Sequence, residues 1–455
     1  MVFEEFWEKY TSEDITTISD TVIATFSQDL PKSVSTDYDL GEIVTEFTGH
    51  HETANKYEKI EGFGEAIKKY QPEVYANEGK YINKSLVTYY CFREEKQKLG
   101  EQVEDILGRE YDYDLLLESF NTLLYYGHLE YVDDIIVKEY HNVQKSPKLI
   151  QGAEFDLAIV KYYIELEKLY EQYSENSEEA INTFREYLKQ YGFNFDNEYV
   201  KHLKIGLSDT SQDKIQELLK KFPTNRTYIV SALEMKFLIM MQSKNCPFPV
   251  GGMIWHNLLP YFEERKTTNW KSYFSFKAAE FEKFIDSKSG FFSDSSDVKA
   301  LLLWGSSYLL DFVYELNIIP AEQYNYQKGL LQKSKANFKK RYRERLWEFS
   351  FVHKWMPDNL TTAEDWEEEK TEFVDSYTLV LSENERSSRA LEGMLNQSFE
   401  DTFNLGRQKP ILNLTKIGRN EKVDVQYSDG TIKRAIKFKK VSKDIENGDC
   451  EIIRE

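Results

Sequence analysis

The chain has 455 residues and carries 58 Lys and Arg against 78 Asp and Glu, a formal charge of −20, with 41% hydrophobic and 30% charged residues. So much apolar material over such a length supports two or three packed cores and excludes wholesale disorder. The acidic balance excludes broad coating of nucleic acid by the main body.

Glycine (21) and proline (10) are scarce. Strand-rich folds need both at frequent turns, so long helices with short connections are expected. Cys91, Cys246 and Cys450 form no C-x-x-C pair, which suits a reducing cytoplasm and thiols that act as small hydrophobes. The opening MVFEEFWEKY is acidic and lacks the basic and apolar regions of a signal peptide. Tyr228–Met241, the most apolar stretch, is broken by Ser231, Glu234 and Lys236. It is too short for the roughly 20 apolar residues of a membrane span and reads as a buried helix.

In chain order, helical spacing first marks Ser12–Leu30, Leu40–Phe47 and Lys80–Glu104, punctuated by Pro31, Gly49 and Pro72. The clearest organisation follows. Leu116, Phe120, Leu123 and Leu124 trace one helix face, and Gly127 can close that helix in a left-handed conformation. Val132, Ile135, Ile136 and Tyr140 restart the pattern after a turn too short for anything but an antiparallel pair. Ile159, Tyr163, Leu166 and Tyr170 form the next stripe. Asn176 with Glu179 fits a reciprocal cap for a helix bearing Ala180, Ile181, Phe184, Tyr187, Leu188 and Tyr191, closed by Gly192. Ile215, Leu218, Leu219 and Phe222 make a further helix, which Pro223 stops.

Serial amphipathic hairpins, none able to hold a core alone, predict a stacked array. From Asp112 to Gly192 this resembles tetratricopeptide-type helical hairpins, though without a fixed repeat or its consensus positions. The run CPFPVGG, with Pro247, Pro249, Gly251 and Gly252, reads as a loop. Asp286–Asp297 reads as a linker, and Val298–Leu316 as an apolar helix. The expected organisation is therefore an N-terminal helical region (1–110), a repeat-like region (111–285), a second helical region (286–405) and a small module (406–455).

The basic aromatic stretch Lys333–Trp347 is the first candidate site. Lys333, Lys335, Lys339, Lys340, Arg341, Arg343 and Arg345 oppose Glu344 alone, with Phe338, Tyr342 and Trp347 interleaved. Cations beside rings suit phosphates beside stacked bases, so Lys335, Lys339, Lys340, Arg341, Tyr342, Arg343 and Arg345 are candidate nucleic-acid contacts. The competing reading is a helix neutralised from within, because Glu364, Asp365, Glu367, Glu368, Glu369 and Glu372 follow closely. A second candidate is the aromatic stripe Tyr162, Tyr163, Tyr170, Tyr173, Tyr187 and Tyr191, which suits either inter-helix packing or a peptide groove.

Chemistry is poorly represented. His50, His51 and Glu52 are followed by Asn55 where a zincin needs its second histidine, and the other histidines are scattered. Nucleophile elbows and glycine-rich phosphate cradles are missing. No catalytic residue, metal or cofactor is expected, and a carboxylate-based enzyme stays an open alternative without a motif.

The last fifty residues differ from the rest. Residues 406–455 carry +4 where residues 1–405 carry −24, and helical periodicity gives way to short alternating runs. Lys422–Tyr427, the Asp429-Gly430 turn pair and Thr431–Val441 predict a hairpin, with Arg434 breaking the alternation at a bulge or strand edge. A helical turn at Ser442–Asn447 and a strand at Cys450–Ile453 complete a ββαβ order. Lys433, Lys437 and Lys439, with Arg434, are the expected binding edge, on the face opposite Ile432, Ile436 and Phe438.

The run Lys416-Ile417-Gly418-Arg419-Asn420-Glu421 resembles the opening of the SEC-C tail of bacterial preprotein translocase motors. That resemblance implies docking to a chaperone or ribosome through a zinc-bound tail. Val423 and Val425 stand where the zinc cysteines belong, so zinc is not expected here. Together these readings predict a mainly α cytoplasmic scaffold, an irregular solenoid-like array of antiparallel hairpins with a small β-rich cap. It is expected to bind protein partners through a helical groove and the basic cap, and not to bind a membrane. The alternative is a nucleic-acid-associated protein using residues 333–347 with the cap.

Overall fold

The computed structural model describes residues 3–379 apart from 32, 35–37, 110–111, 150, 174–177, 209–211, 265–266, 268 and 289–295, and then 422–427, 431–437, 440 and 450–453. The chain divides into two compact units, Met1–Leu379 and Val380–Glu455. The boundaries expected at 110/111 and 285/286 fall inside the first unit, and the one at 405/406 lies outside the described residues.

The first unit is mainly helical, with nineteen α-helices among the described residues. The N-terminal series is α1 (Phe3–Ser12), α2 (Ser19–Phe26), α3 (Leu40–Thr53), α4 (Tyr57–Tyr70), α5 (Pro72–Arg93) and α6 (Lys96–Leu107). The middle series is α7 (Tyr113–Tyr125), α8 (Leu129–Lys145), α9 (Phe155–Gln172), α10 (Glu178–Leu188), α11 (Asn197–Leu207), α12 (Gln212–Lys220), α13 (Phe222–Gln242) and α14 (Phe248–Glu263). Then come α15 (Trp270–Tyr273), α16 (Ala278–Asp286), α17 (Ser296–Glu315), α18 (Ala321–Arg341) and α19 (Ala363–Asp375), with a 3₁₀ segment at Leu346–Lys354 before α19.

The hairpin α7–α8 forms as its periodicity dictates. Leu116, Phe120, Leu123 and Leu124 are buried against Val132, Ile135, Ile136 and Tyr140. Gly127 takes φ +82, and the amides of Gly127 and His128 reach back to the Leu124 and Leu123 carbonyls, which closes the helix without a strained Cβ. Four expectations need correction. Pro223 does not stop a helix: α12 ends at Lys220, and Pro223 sits in the first turn of α13. Lys80–Glu104 is not one helix: Glu94 adopts φ 57 and separates α5 from α6 with no glycine to announce it. CPFPVGG is not a loop, because α14 starts at Phe248, with Pro247 as its cap and Pro249 in its first turn where the missing N–H costs nothing. The helix read over Lys333–Trp347 ends at Arg341, and a 3₁₀ segment takes over. The Asn176 cap and part of the Asp286–Asp297 linker lie outside the described residues.

In a solenoid each repeat touches only its neighbours. This unit departs from that rule. After α18 the chain returns as a strap over helices near its own start. The side-chain amide of Asn55 donates to the Glu344 carbonyl at 3.0 Å and its oxygen accepts from Trp347 Nε1 at 3.1 Å. Trp347 meets Tyr57 edge-on at 5.1 Å and Phe92 at 5.0 Å, and Tyr377 stacks on Tyr89. Farther along the strap, Met356 N donates to the Lys244 carbonyl and Tyr308 donates to the Met356 carbonyl. One stretch thus ties the N-terminal helices and the α13–α17 layer into a single core, with Trp347 and Trp355 among its largest buried side chains.

The second unit contains a three-stranded antiparallel sheet ordered β2-β1-β3, from β1 (Lys422–Tyr427), β2 (Ile432–Lys437) and β3 (Cys450–Ile453). The Asp429-Gly430 turn and the Ser442–Asn447 helical turn lie outside the described residues. Tyr427 N donates to the Thr431 carbonyl across the hairpin mouth at 2.8 Å.

Candidate interaction surfaces

The basic stretch is largely occupied from within. Lys335 is buried, its ammonium 5.3 Å from the centre of the Trp304 ring. Lys339 lies 2.7 Å from Glu372 and 3.4 Å from Glu369, both on α19. Arg345 holds Glu348 through two bonds of 2.8 and 2.7 Å. Tyr342 is buried against Phe338 and Phe349. Lys333, Lys340, Arg341 and Arg343 are exposed, Arg341 lying 5.6 Å from the Tyr342 ring. The acidic run at 364–372 therefore supplies counter-charge to this stretch.

Glu369 is the centre of that neutralisation. It accepts from Trp304 Nε1 at 3.0 Å and from His353 Nε2 at 3.2 Å. Burial alone would raise its carboxyl. The His353 bond, the Lys335 charge and the Trp304 bond outweigh burial and hold it at about 2. Burial pushes His353 down against the pull of Glu369, so a neutral ring donating from Nε2 fits, with Nδ1 buried and unpaired.

In the sheet the register defeats the expected face. Val423 pairs with Ile436 but Val425 pairs with Lys433, so one residue of β2 is extra between them, opposite Asp424. The bulge falls at Arg434–Ala435. Beyond it, Lys433 shares a face with buried Val425, its ammonium 4.3 Å over the Tyr427 ring. Ile432, opposite Gln426, turns out 50% exposed. The alternation that would set all three lysines away from Ile432 and Ile436 is thus broken at its first step. Lys433 and Arg434 are exposed, Lys437 sits at the register position opposite Lys422, and Lys439 lies outside the described residues.

The aromatic stripe divides in two. Tyr187 and Tyr191 pack beside buried Lys161, whose ammonium is 5.1 Å from the Tyr187 ring centre, and Tyr170 stacks on Phe248 at 5.4 Å. Tyr173 is half-buried against the core. Tyr162 and Tyr163 instead open a different neighbourhood. Tyr163 is wedged against Gly252 of α14, where any Cβ would collide with its ring, and its hydroxyl donates to Glu234 of α13. Tyr162 and Tyr199 share a hydroxyl–hydroxyl bond. Phe195 stacks between Phe193 at 5.6 Å and Tyr199 at 4.7 Å, and Tyr162 lies 5.5 Å from Phe193. Tyr162, Phe193, Phe195, Tyr199 and Glu234 all keep partial solvent access.

Burial pushes the Glu234 carboxyl up to about 7 against the opposing bond from Tyr163. Sequence reading missed Glu234, Tyr199 and the two phenylalanines. The glutamate showed only as a polar break in an apolar run, which was the one available sign. Among the described residues no three His, Cys, Asp or Glu side chains gather as a metal site, and no helix is long and apolar enough to cross a membrane.

Comparison with known proteins gives short likenesses only. The chain is 49% identical over 47 residues to Protein translocase subunit SecA of Amoebophilus asiaticus, covering 10% of this chain and 4% of that protein. It is 38% identical over 63 residues to Protein translocase subunit SecA of Cytophaga hutchinsonii, covering 14% and 6%. These likenesses are consistent with a SEC-C-like tail and span a small fraction of either translocase subunit. No known family profile, helical-repeat or other, matches the chain, and no solved structure matches it.

Proposed function

We propose that the protein is a non-catalytic interaction scaffold, in which the helical body presents an aromatic surface to a partner segment and the basic C-terminal module supplies a second contact. The observation that carries this reading is the partly exposed cluster of Tyr162, Phe193, Phe195 and Tyr199, with the Glu234 carboxyl near its two phenols. Rings of this kind dominate binding energetics because they bury large area at low entropic cost. The solenoid-like reading enters here in a reduced form: paired helices set out the surface while the strap fixes them.

For the tail, exposed Lys433 and Arg434 and the likeness to translocase subunits support a docking role toward an anionic protein surface. The nucleic-acid reading is the weaker, since Lys335, Lys339 and Arg345 have partners within the chain. Recovery of cross-linked partners from the native source, compared between the natural protein and a Lys433→Glu, Arg434→Glu, Lys437→Glu, Lys439→Glu variant, tests the tail. A loss of about tenfold or more is expected, and unchanged recovery removes the module from the reading. A salt-independent null with short RNA and DNA is expected in parallel; affinity falling steeply with salt would favour the alternative.

A further inference from the structure

Carboxylate, ring and cation recur together in this chain. Tyr75 donates to Asp105 while Arg109 pairs with that carboxylate and lies 4.6 Å over the Tyr75 ring. Tyr90 donates to Glu61 while Lys98 pairs with it at 2.6 Å and lies 5.5 Å from the Tyr90 ring. Lys161 likewise joins Asp133 and Glu165 beside Tyr187. In the first two cases a phenol bond and a cation together satisfy a carboxylate drawn out of water, and in the third the cation does so alone; in all three the ring face adds its quadrupole.

Glu234 has the first two parts and lacks the third. Tyr163 donates to it, and Tyr162 and Tyr199 stand close enough for its charge to act on both phenols. No Lys, Arg or His pairs with it among the described residues, although the site keeps solvent access. A carboxylate offers about four acceptor positions, and its one resolved partner is neutral. The groups facing it are the phenols of Tyr162 and Tyr163 from α9 and of Tyr199 from α11, all pushed up by burial and neutral across physiological pH.

We propose that Glu234, Tyr162 and Tyr199 form a recognition site for a cationic side chain, the lysine ammonium or arginine guanidinium of a partner peptide. The inference rests on the docking reading above and names what the aromatic surface recognises. Charge complementarity fixes the occupant. An acidic or purely apolar peptide would leave the carboxylate desolvated and unpaired, whereas a basic one completes the arrangement the chain builds elsewhere for itself. Binding draws the carboxyl into its ionised form and releases a proton, so affinity rises with pH.

The test uses the full chain labelled with 3-fluorotyrosine, its signals assigned by Tyr162→Phe, Tyr163→Phe and Tyr199→Phe. N-acetyl-lysine methylamide and its arginine and norleucine counterparts are titrated against it. The basic probes should shift the three signals and norleucine should not, with apparent affinity about tenfold higher at pH 8 than at pH 6 given a carboxyl near 7. Glu234→Gln should abolish the shifts. An equal response to norleucine, or none to either basic probe, overturns the proposal, and both readouts come from the natural sequence whatever the variant's stability. If partner recovery is equal for the natural chain and Glu234→Gln, this site falls while the docking reading stands. If no partner is recovered from any form yet the basic probes still act through Glu234, the docking reading falls and the site stands.

Discussion

Asn55 and Trp347 lie 292 positions apart in sequence and are hydrogen-bonded at 3.1 Å, the indole N–H donating to the amide oxygen. Asn55 also adopts φ 52, a left-handed conformation that asparagine tolerates better than most residues. The one residue therefore ends a helix and anchors the returning strap.

Replacing it separates these roles. Asn55→Ala should cost about 2 kcal/mol, because it leaves the indole N–H unpaired and puts at positive φ a residue that tolerates it less well than asparagine. Asn55→Gly should cost less, since it relieves the backbone while losing both side-chain bonds. Urea denaturation of the two variants checks the order.

Lys161 offers a second measurement. Its side chain is 2% exposed and bonds Asp133 at 2.6 Å and Glu165 at 2.9 Å. Burial would lower its basicity, but those two bonds outweigh it and raise it. Lys161→Ala leaves two carboxylates facing a hole and should cost about 3 kcal/mol. Lys168→Ala, on a neighbour bonded to the same Glu165 from a half-exposed position, should cost about 0.5 kcal/mol.

The pH dependence follows from Glu234. Its folded carboxyl, at about 7, lies above the ordinary value of 4.5, so between those limits the folded state holds a proton that the unfolded chain releases. Stability should fall as pH rises from about 4.5 through 7, by roughly 3 kcal/mol from this group. Asp311, raised to about 6 chiefly by burial, acts in the same direction. Glu369 acts in the opposite one, its contribution being lost as pH falls from 4.5 toward 2. Denaturant midpoints from pH 4.5 to 8 should show a shallower decline in Glu234→Gln than in the natural chain.

Gly252→Ala probes the same region from behind. A methyl group there meets the Tyr163 ring, so either the ring or α14 must move, at about 1–3 kcal/mol. Displacing Tyr163 also removes the bond to Glu234. Absorbance titration should then show the Tyr163 phenol ionising at lower pH than in the natural chain.

Much of the helical body was legible because periodicity reports which face is buried. The α7–α8 pair, the positive φ at Gly127 and the interior character of Tyr228–Met241 follow from spacing alone. Breaks without glycine were not legible. Glu94 turns the chain because Leu99, Val103 and Ile106 must reach the same core as α5, and that demand is tertiary. Proline and glycine misled at Pro249 and Gly252 since both serve a helix start pressed against a neighbour as well as they serve a turn. The counter-charge for Lys339 was foreshadowed by the acidic run, whereas the bulge beside Arg434 showed only as a lapse in alternation. The cluster around Glu234 draws on four separate segments, and no local pattern announces such an assembly.

The strap has a consequence for biosynthesis. Tyr57, Phe92 and Asn55 emerge from the ribosome long before Trp347, the residue that covers them. At translation rates of about 5–20 residues per second the interval is roughly 15–60 s. Throughout it Tyr57 and Phe92 lack the indole that covers them in the folded protein, so the N-terminal helices finish packing only after the strap is made.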